Sequence, residues 1–232
     1  MDIAKYQTFA KTHFGDFSDL KLLITAFTHR SYLNEHKKSV SEHNERLEFL
    51  GDAVLELIVT QYLYSHFEEP EGVLTNWRSA LVRTESISTA AAREGFEPLL
   101  RLSRGEKRGS ERARQQILAN CYEAVVGALY LEKGYEAAKA FIEKSLLPSL
   151  KEILESGAWL DPKSRLQELV QSRDGFTPIY KVMDEEGPDH DKMFVIGVYV
   201  DDQLKAKGEG PSKQAAQVLA ASNALRIYTK ED

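Results

Sequence analysis

The sequence predicts two domains: an all-α first part, then an α+β part in the order helix, three strands, helix. Three observations carry this. From Ile3 to about Leu154, apolar residues recur at spacings of three and four, as in IAKYQTFAKTHF, DAVLELIVTQYLY and QQILANCYEAVVGALYLEKG, the period of a helix face turned to a core. Near the C-terminus the runs TPIYKVMDEEG, DKMFVIGVYVDD and QLKAKGEG alternate apolar and polar residues instead, as half-buried strands do. Between the two lies Gly157-Ala158-Trp159-Leu160-Asp161-Pro162, which fits neither period. At 232 residues each part is long enough to bury its own core.

In chain order, the helical part breaks at Gly15, at Glu69-Pro70-Glu71-Gly72, along the polar run Ser103 to Ser110, and at Gly134. The first domain is expected over residues 1–156 and a linker over 157–161. Pro162, suited to the first turn of a helix, opens a second domain over 162–230. There KSRLQELVQ reads as helix, GPDH and DDQ separate the strands, and SKQAAQVLAASNALRIY closes the chain as an Ala-rich helix. Internal repeats and low-complexity tracts are absent.

Several function classes are excluded or disfavoured. No apolar run approaches the roughly 18 residues that span a bilayer, and the N-terminus lacks a signal-peptide pattern, so a cytoplasmic protein without membrane partners is expected. The single Cys121 allows no internal disulfide and reads as a small buried helix residue. The His residues have no nucleophile-elbow context, and no GxxxxGK[ST] loop is present. Net charge is −6, and residues 160–232 carry 10 Lys plus Arg against 13 Asp plus Glu. Phosphate contacts come mainly from Lys and Arg, so any nucleic-acid surface must be local.

The most informative segment is HNERLEFLGDAVLELIV, His43 to Val59. At 100° per residue Glu45, Glu48 and Asp52 fall at about 0°, −60° and −20°, one narrow stripe. The rest of the helix is apolar nearly all round, so it is expected to be buried. Clustered acids on a buried helix need a cation or donors. The alternative is a solvated stripe, or one paired with Arg46, Arg78 or Arg83.

A second helix, Ile117 to Gly134, sets Asn120 and Glu123 three apart among Ile117, Leu118, Val125, Val126 and Leu129. An all-oxygen set suits Mg²⁺ or Mn²⁺ and not zinc or copper, and such sites serve phosphodiester hydrolysis. A carboxylate-bridged di-iron bundle would require Glu-x-x-His pairs. Gly51 and Val126 stand at the required His positions after Glu48 and Glu123.

The motif HNERLEFLGDAVL resembles the signature of the ribonuclease III family. THRSY at Thr28 to Tyr32, the Glu71-Gly72 step, LVRTESIS and ILANxxEAxxGALYL extend the likeness. The segment from Pro162 is similar to a double-stranded-RNA-binding domain, through GPDH at Gly187 to His190, GEGPSKQAA and the Ala-rich helix. The resemblance implies an all-α ribonuclease III catalytic domain followed by an α-β-β-β-α RNA-binding domain. It implies a Mg²⁺-dependent endonuclease, with Mn²⁺ as a possible substitute, that cuts double-stranded RNA as a homodimer. Ribosomal precursors and structured messages are the expected substrates, and 5′-phosphate and 3′-hydroxyl ends with a short 3′ overhang the expected products. It further implies that Glu48, Asp52, Asn120 and Glu123 hold the metal, with Asp52 and Glu123 closest to hydrolysis. Glu45 and Glu71 then lie nearer the RNA, Gln167, Glu168, His190 and Lys213 contact it, and Phe49 lies at the subunit contact.

Two positions depart from the family pattern. Asn120 stands where an Asp is usual, which removes one negative charge; weaker metal binding with activity retained is expected, the alternative being a non-cleaving RNA-binding dimer. At Ser212-Lys213-Gln214-Ala215-Ala216-Gln217 only one Lys of a usual adjacent pair is kept. Weaker affinity with a flatter salt dependence follows.

Overall fold

A computed structural model describes residues 3–38, 40–157, 159, 161–188 and 192–228. The chain divides into two compact units, Met1–Ser156 and Gly157–Asp232.

The first unit is helical: α1 (Ala4–Phe14), α2 (Leu20–Ala26), α3 (Arg30–Glu35), α4 (Glu45–His66), α5 (Glu71–Val82), α6 (Thr84–Arg93), α7 (Glu111–Ser145) and α8 (Pro148–Ser156), with short 3₁₀ turns at Glu97–Leu99 and Glu106–Arg108. The expected breaks have distinct local causes. Gly15 ends α1 at φ +70. Pro70 precedes the first turn of α5, so Glu71 and Gly72 already belong to that helix. Ser110 caps α7, its side chain accepting the Ala113 N–H. Gly134 at φ +77 puts a kink inside α7, a conformation that residues with a Cβ rarely adopt.

The core of this unit forms where α4 crosses α7. Leu55, Ile58 and Val59 are buried on one helix, and Tyr122, Val125, Val126 and Leu129 on the other. Phe9, Phe27, Phe96, Tyr122 and Phe141 fill the adjoining space with edge and stacked ring contacts. Cys121 is buried here, its Sγ 3.5 Å from the Ala26 carbonyl oxygen, and burial raises its thiol pKa well above the usual range. It packs as a small core residue, as expected.

One expectation needs correction. The segment His43 to Val59, apolar nearly all round, is expected to be buried, yet Phe49 is 82% exposed and Leu57 58%, and further along the same helix Tyr64 is 79% exposed. An apolar helix face implies a partner surface, and among the described residues of this unit none covers these side chains of α4.

The second unit has the predicted order: α9 (Pro162–Asp174), β1 (Ile179–Glu186), β2 (Met193–Val200), β3 (Gln203–Gly210) and α10 (Lys213–Tyr228). The strands form one antiparallel sheet in the order β1-β2-β3. Asp201 and Asp202, both at positive φ, make the two-residue turn between Val200 and Gln203, a geometry Asp tolerates better than most residues. The core comprises Leu166 and Val170 of α9, Val198 and Val200 of β2, and Ala220, Ala221, Ala224, Leu225 and Tyr228 of α10. A methyl group added at Gly208 would overlap backbone of Ala216 and Ala220. The Ala-rich helix therefore lies directly on β3, and small residues on both sides allow that approach.

Candidate metal centre

The acidic residues meet because two glycines let their helices touch. A Cβ on Gly51 of α4 would overlap the carbonyl of Glu123, and one on Gly127 of α7 would overlap the carbonyl of Leu47. The helix backbones are thus in contact at this crossing. Asp52, next to Gly51, and Glu48, one helical turn before it, are brought close enough to Glu123 for their charges to act on it. Sequence reasoning located the acids but missed these glycines, whose signal was a Gly inside each apolar helix pattern.

The THRSY segment fixes the start of α4. The fully buried Thr28 accepts the Asn44 N–H on its carbonyl at 2.9 Å. Its Oγ1 donates to the Ile24 carbonyl at 2.7 Å and accepts from Arg101 at 3.0 Å. The Arg101 guanidinium also covers the Tyr32 ring. Asn44, itself buried, leads directly into Glu45.

The four expected ligands have different environments. Glu123 is half-buried, and burial first, then the charges of Asp52 and Glu48, push its pKa up to about 8. Glu48, also half-buried, is raised by burial and by Glu45, partly offset by a hydrogen bond from Asn120, with Asp52 adding a smaller push upward. Asp52 is exposed at the edge of the crossing. The Asn120 Oδ1 accepts the Gln116 Nε2–H at 2.7 Å, so its amide bridges Gln116 and Glu48.

The Arg-paired alternative fails for these acids. Among the described residues no Lys or Arg pairs with Glu48, Asp52 or Glu123; Arg78 takes Glu56 at 3.0 Å and Arg83 takes Glu85 at 3.5 Å. Three carboxylates and an amide, without nitrogen or sulfur ligands, form a donor set that fits a hard divalent cation. Among the described residues no group of three or more His, Cys, Asp or Glu side chains is placed so as to hold a metal ion as it stands. Like charges at this crossing favour side chains that stay apart.

The remaining expected residues lie elsewhere. Glu45 stands on the same α4 stripe, exposed, 3.6 Å from Arg30 and 3.8 Å from His43. Glu71 is exposed at the first position of α5. Phe49 is on the surface of its unit and not in the core. In the second unit Gln167 and Glu168 are exposed on α9, and Gln167 borders a cavity with Lys163, Tyr180 and Gln214. Lys213 begins α10. His190 lies outside the described residues.

A family model described as Ribonuclease-III-like matches residues 19–150, and one for the double-stranded RNA binding motif matches residues 162–228. The chain belongs to the ribonuclease III family. It is 45% identical over 213 residues to Ribonuclease 3 of Streptococcus gordonii, covering 90% of each chain. It is 44% identical to Ribonuclease 3 of Enterococcus faecalis, over 90% of this chain and 91% of the relative. Among solved structures, a ribonuclease III nuclease domain from Campylobacter jejuni, described for flexibility in its region of dimer formation, superposes with a TM-score of 0.55 at 35% identity. It covers 61% of this chain and 96% of that one. Ribonuclease III architecture thus accounts for both units, and the chain is of the double-strand-specific endoribonuclease class. No described helix is long and apolar enough to cross a membrane.

Proposed function

We propose that the crossing of α4 and α7 is the hydrolytic centre, and that it uses Mg²⁺, with Mn²⁺ able to substitute. Glu48, Asp52, Asn120 and Glu123 hold the ion. A metal bound there supplies Lewis acidity and lowers the pKa of a water for attack on a phosphodiester. The observation that carries this reading is the half-buried Glu123 beside Asp52 and Glu48 with no basic partner among the described residues.

The chain's own residues do the rest. Glu48 is oriented by the Asn120 amide, which Gln116 holds in turn. Asp52 and Glu123 adjoin the reacting phosphodiester, while Glu45 and Glu71 lie nearer the flanking RNA. In the second unit Gln167, Glu168 and His190 read the minor groove and its 2′-hydroxyls, and Lys213 meets a phosphate across the major groove. The exposed Phe49, Leu57 and Tyr64 favour a homodimer that covers the apolar side of α4. The reaction leaves 5′-phosphate and 3′-hydroxyl ends with a short 3′ overhang on ribosomal precursors and structured messages in the cytoplasm.

Asn120 favours one competing reading, a dimer that binds duplex RNA without cutting it. Cleavage of a perfect RNA duplex by the wild type and by Glu123→Gln, across a Mg²⁺ series, separates the two. Cutting that disappears in Glu123→Gln with binding intact supports the nuclease centre. Binding without cutting by the wild type, in Mg²⁺ and in Mn²⁺, overturns it.

A further inference from the structure

Glu185, near the end of β1, holds two cations at once. Its Oε2 lies 3.0 Å from the Lys192 Nζ, and its Oε1 lies 3.1 Å from the Lys213 Nζ. Both ammonium groups also approach the ring of Phe194, at 5.9 and 5.5 Å from its centroid. Strand register builds this arrangement: Phe194 of β2 is the cross-strand partner of Glu185 on one side and of Gly210 on the other. Three residues beyond Gly210 the chain enters α10 at Lys213. The two lysines hold the Glu185 carboxyl below its ordinary range.

Lys213 is the lysine that the proposed function assigns to an RNA phosphate, and the next residue is the uncharged Gln214. A carboxylate offers an ammonium group the same kind of charged oxygen acceptor that a phosphate does. To reach RNA, Lys213 must either leave Glu185 or bring a phosphate close to a negative charge, well within one Debye length.

We propose that Glu185 is an intramolecular competitor of the RNA backbone, holding Lys213 and Lys192 in the free protein and yielding them when duplex RNA binds. The inference rests on the reading that the start of α10 faces RNA. It makes Glu185 a residue that sets affinity and salt response without itself contacting the substrate. Asn120 limits charge at the proposed metal centre; Glu185 limits it on the binding face.

The test uses the full-length protein without divalent cations, so that binding is read without cleavage, and an RNA duplex of about 20 base pairs, slightly more than one such domain spans. Fluorescence anisotropy across a KCl series compares wild type, Glu185→Gln, Lys213→Ala and the double variant, with circular dichroism to verify folding. Glu185→Gln should bind about threefold more tightly at low salt, the scale of an exposed ion pair, with a steeper salt dependence. Lys213→Ala should bind more weakly, and most of the gain should vanish in the double variant. Unchanged or weaker binding by folded Glu185→Gln, with Lys213→Ala still impaired, overturns the competitor role and leaves the RNA-facing reading of α10 standing. No effect of Lys213→Ala overturns that reading, and the proposal with it.

Discussion

Gly51 of α4 lies so close to the carbonyl of Glu123 on α7 that a single added methyl group would overlap it. The contact positions an acid of the proposed centre and also seals the core, so stability and the proposed catalysis share one constraint. Gly51→Ala must push the helices apart or strain them, an overpacking cost of about 3 kcal/mol. Denaturant unfolding measures this loss. Because Glu123 moves with its backbone, duplex cleavage should fall by far more than the folded fraction does. A variant of wild-type stability would show that the helices separate at little cost.

Glu123 should also make the metal-free protein sensitive to pH. A carboxyl whose folded-state pKa lies above its unfolded value favours the folded state only while protonated. Raised from 4.5 to about 8, Glu123 therefore stabilises the fold least at high pH: the melting temperature should decline as pH climbs between those values and level off above them. Glu123→Gln should remove much of that decline and melt higher than the wild type at pH 8 in chelator, while losing cleavage. Equal slopes for the two proteins would assign the decline to other groups. Since a cation requires the ionised carboxylate, divalent-metal affinity should rise across the same window.

What the sequence made legible, and what it hid, divides along a physical line. Helical period placed Glu45, Glu48 and Asp52 on one stripe and Asn120 and Glu123 on another, because those relations lie within single helices. The order of helix, three strands and helix was readable from the change in period near Pro162. Relations between elements were not readable. A Gly inside an apolar helix pattern marks Gly51 and Gly127 as sites of close approach without naming the helix that approaches, and nothing local to Glu185 indicates that it reaches Lys213. The exposure of Phe49 was hidden for the same reason: apolar residues all round α4 mark a need for partners without stating whether the same subunit provides them.

That exposure yields a prediction about assembly. Phe49 is 82% exposed in its unit, so Phe49→Glu should cost the isolated fold little, whereas a charge buried in a subunit contact is strongly unfavourable. Sedimentation velocity should show a shift from dimer to monomer, with a melting curve that becomes less dependent on protein concentration. A Phe49→Glu protein that sediments as a dimer would move the contact to another surface.

Asn120 is the uncharged member of the proposed metal centre, and its surroundings predict what an acid at this position would do. Gln116 donates to its Oδ1 at 2.7 Å, and its amide also bonds Glu48, which moderates the upward pressure on that carboxyl. Asn120→Asp keeps an acceptor for Gln116 but replaces the contact with Glu48 by repulsion between carboxylates. In chelator the variant should therefore melt below the wild type at neutral pH. With a cation present the added charge works in the opposite sense. The Mg²⁺ concentration for half-maximal cleavage should fall, and Mg²⁺ should raise the melting temperature more than it does in the wild type. Melting and cleavage thus respond in opposite directions to one substitution, which a merely damaged helix would not reproduce. An unchanged or higher Mg²⁺ requirement would mean that position 120 holds Glu48 in place and does not itself bind the ion.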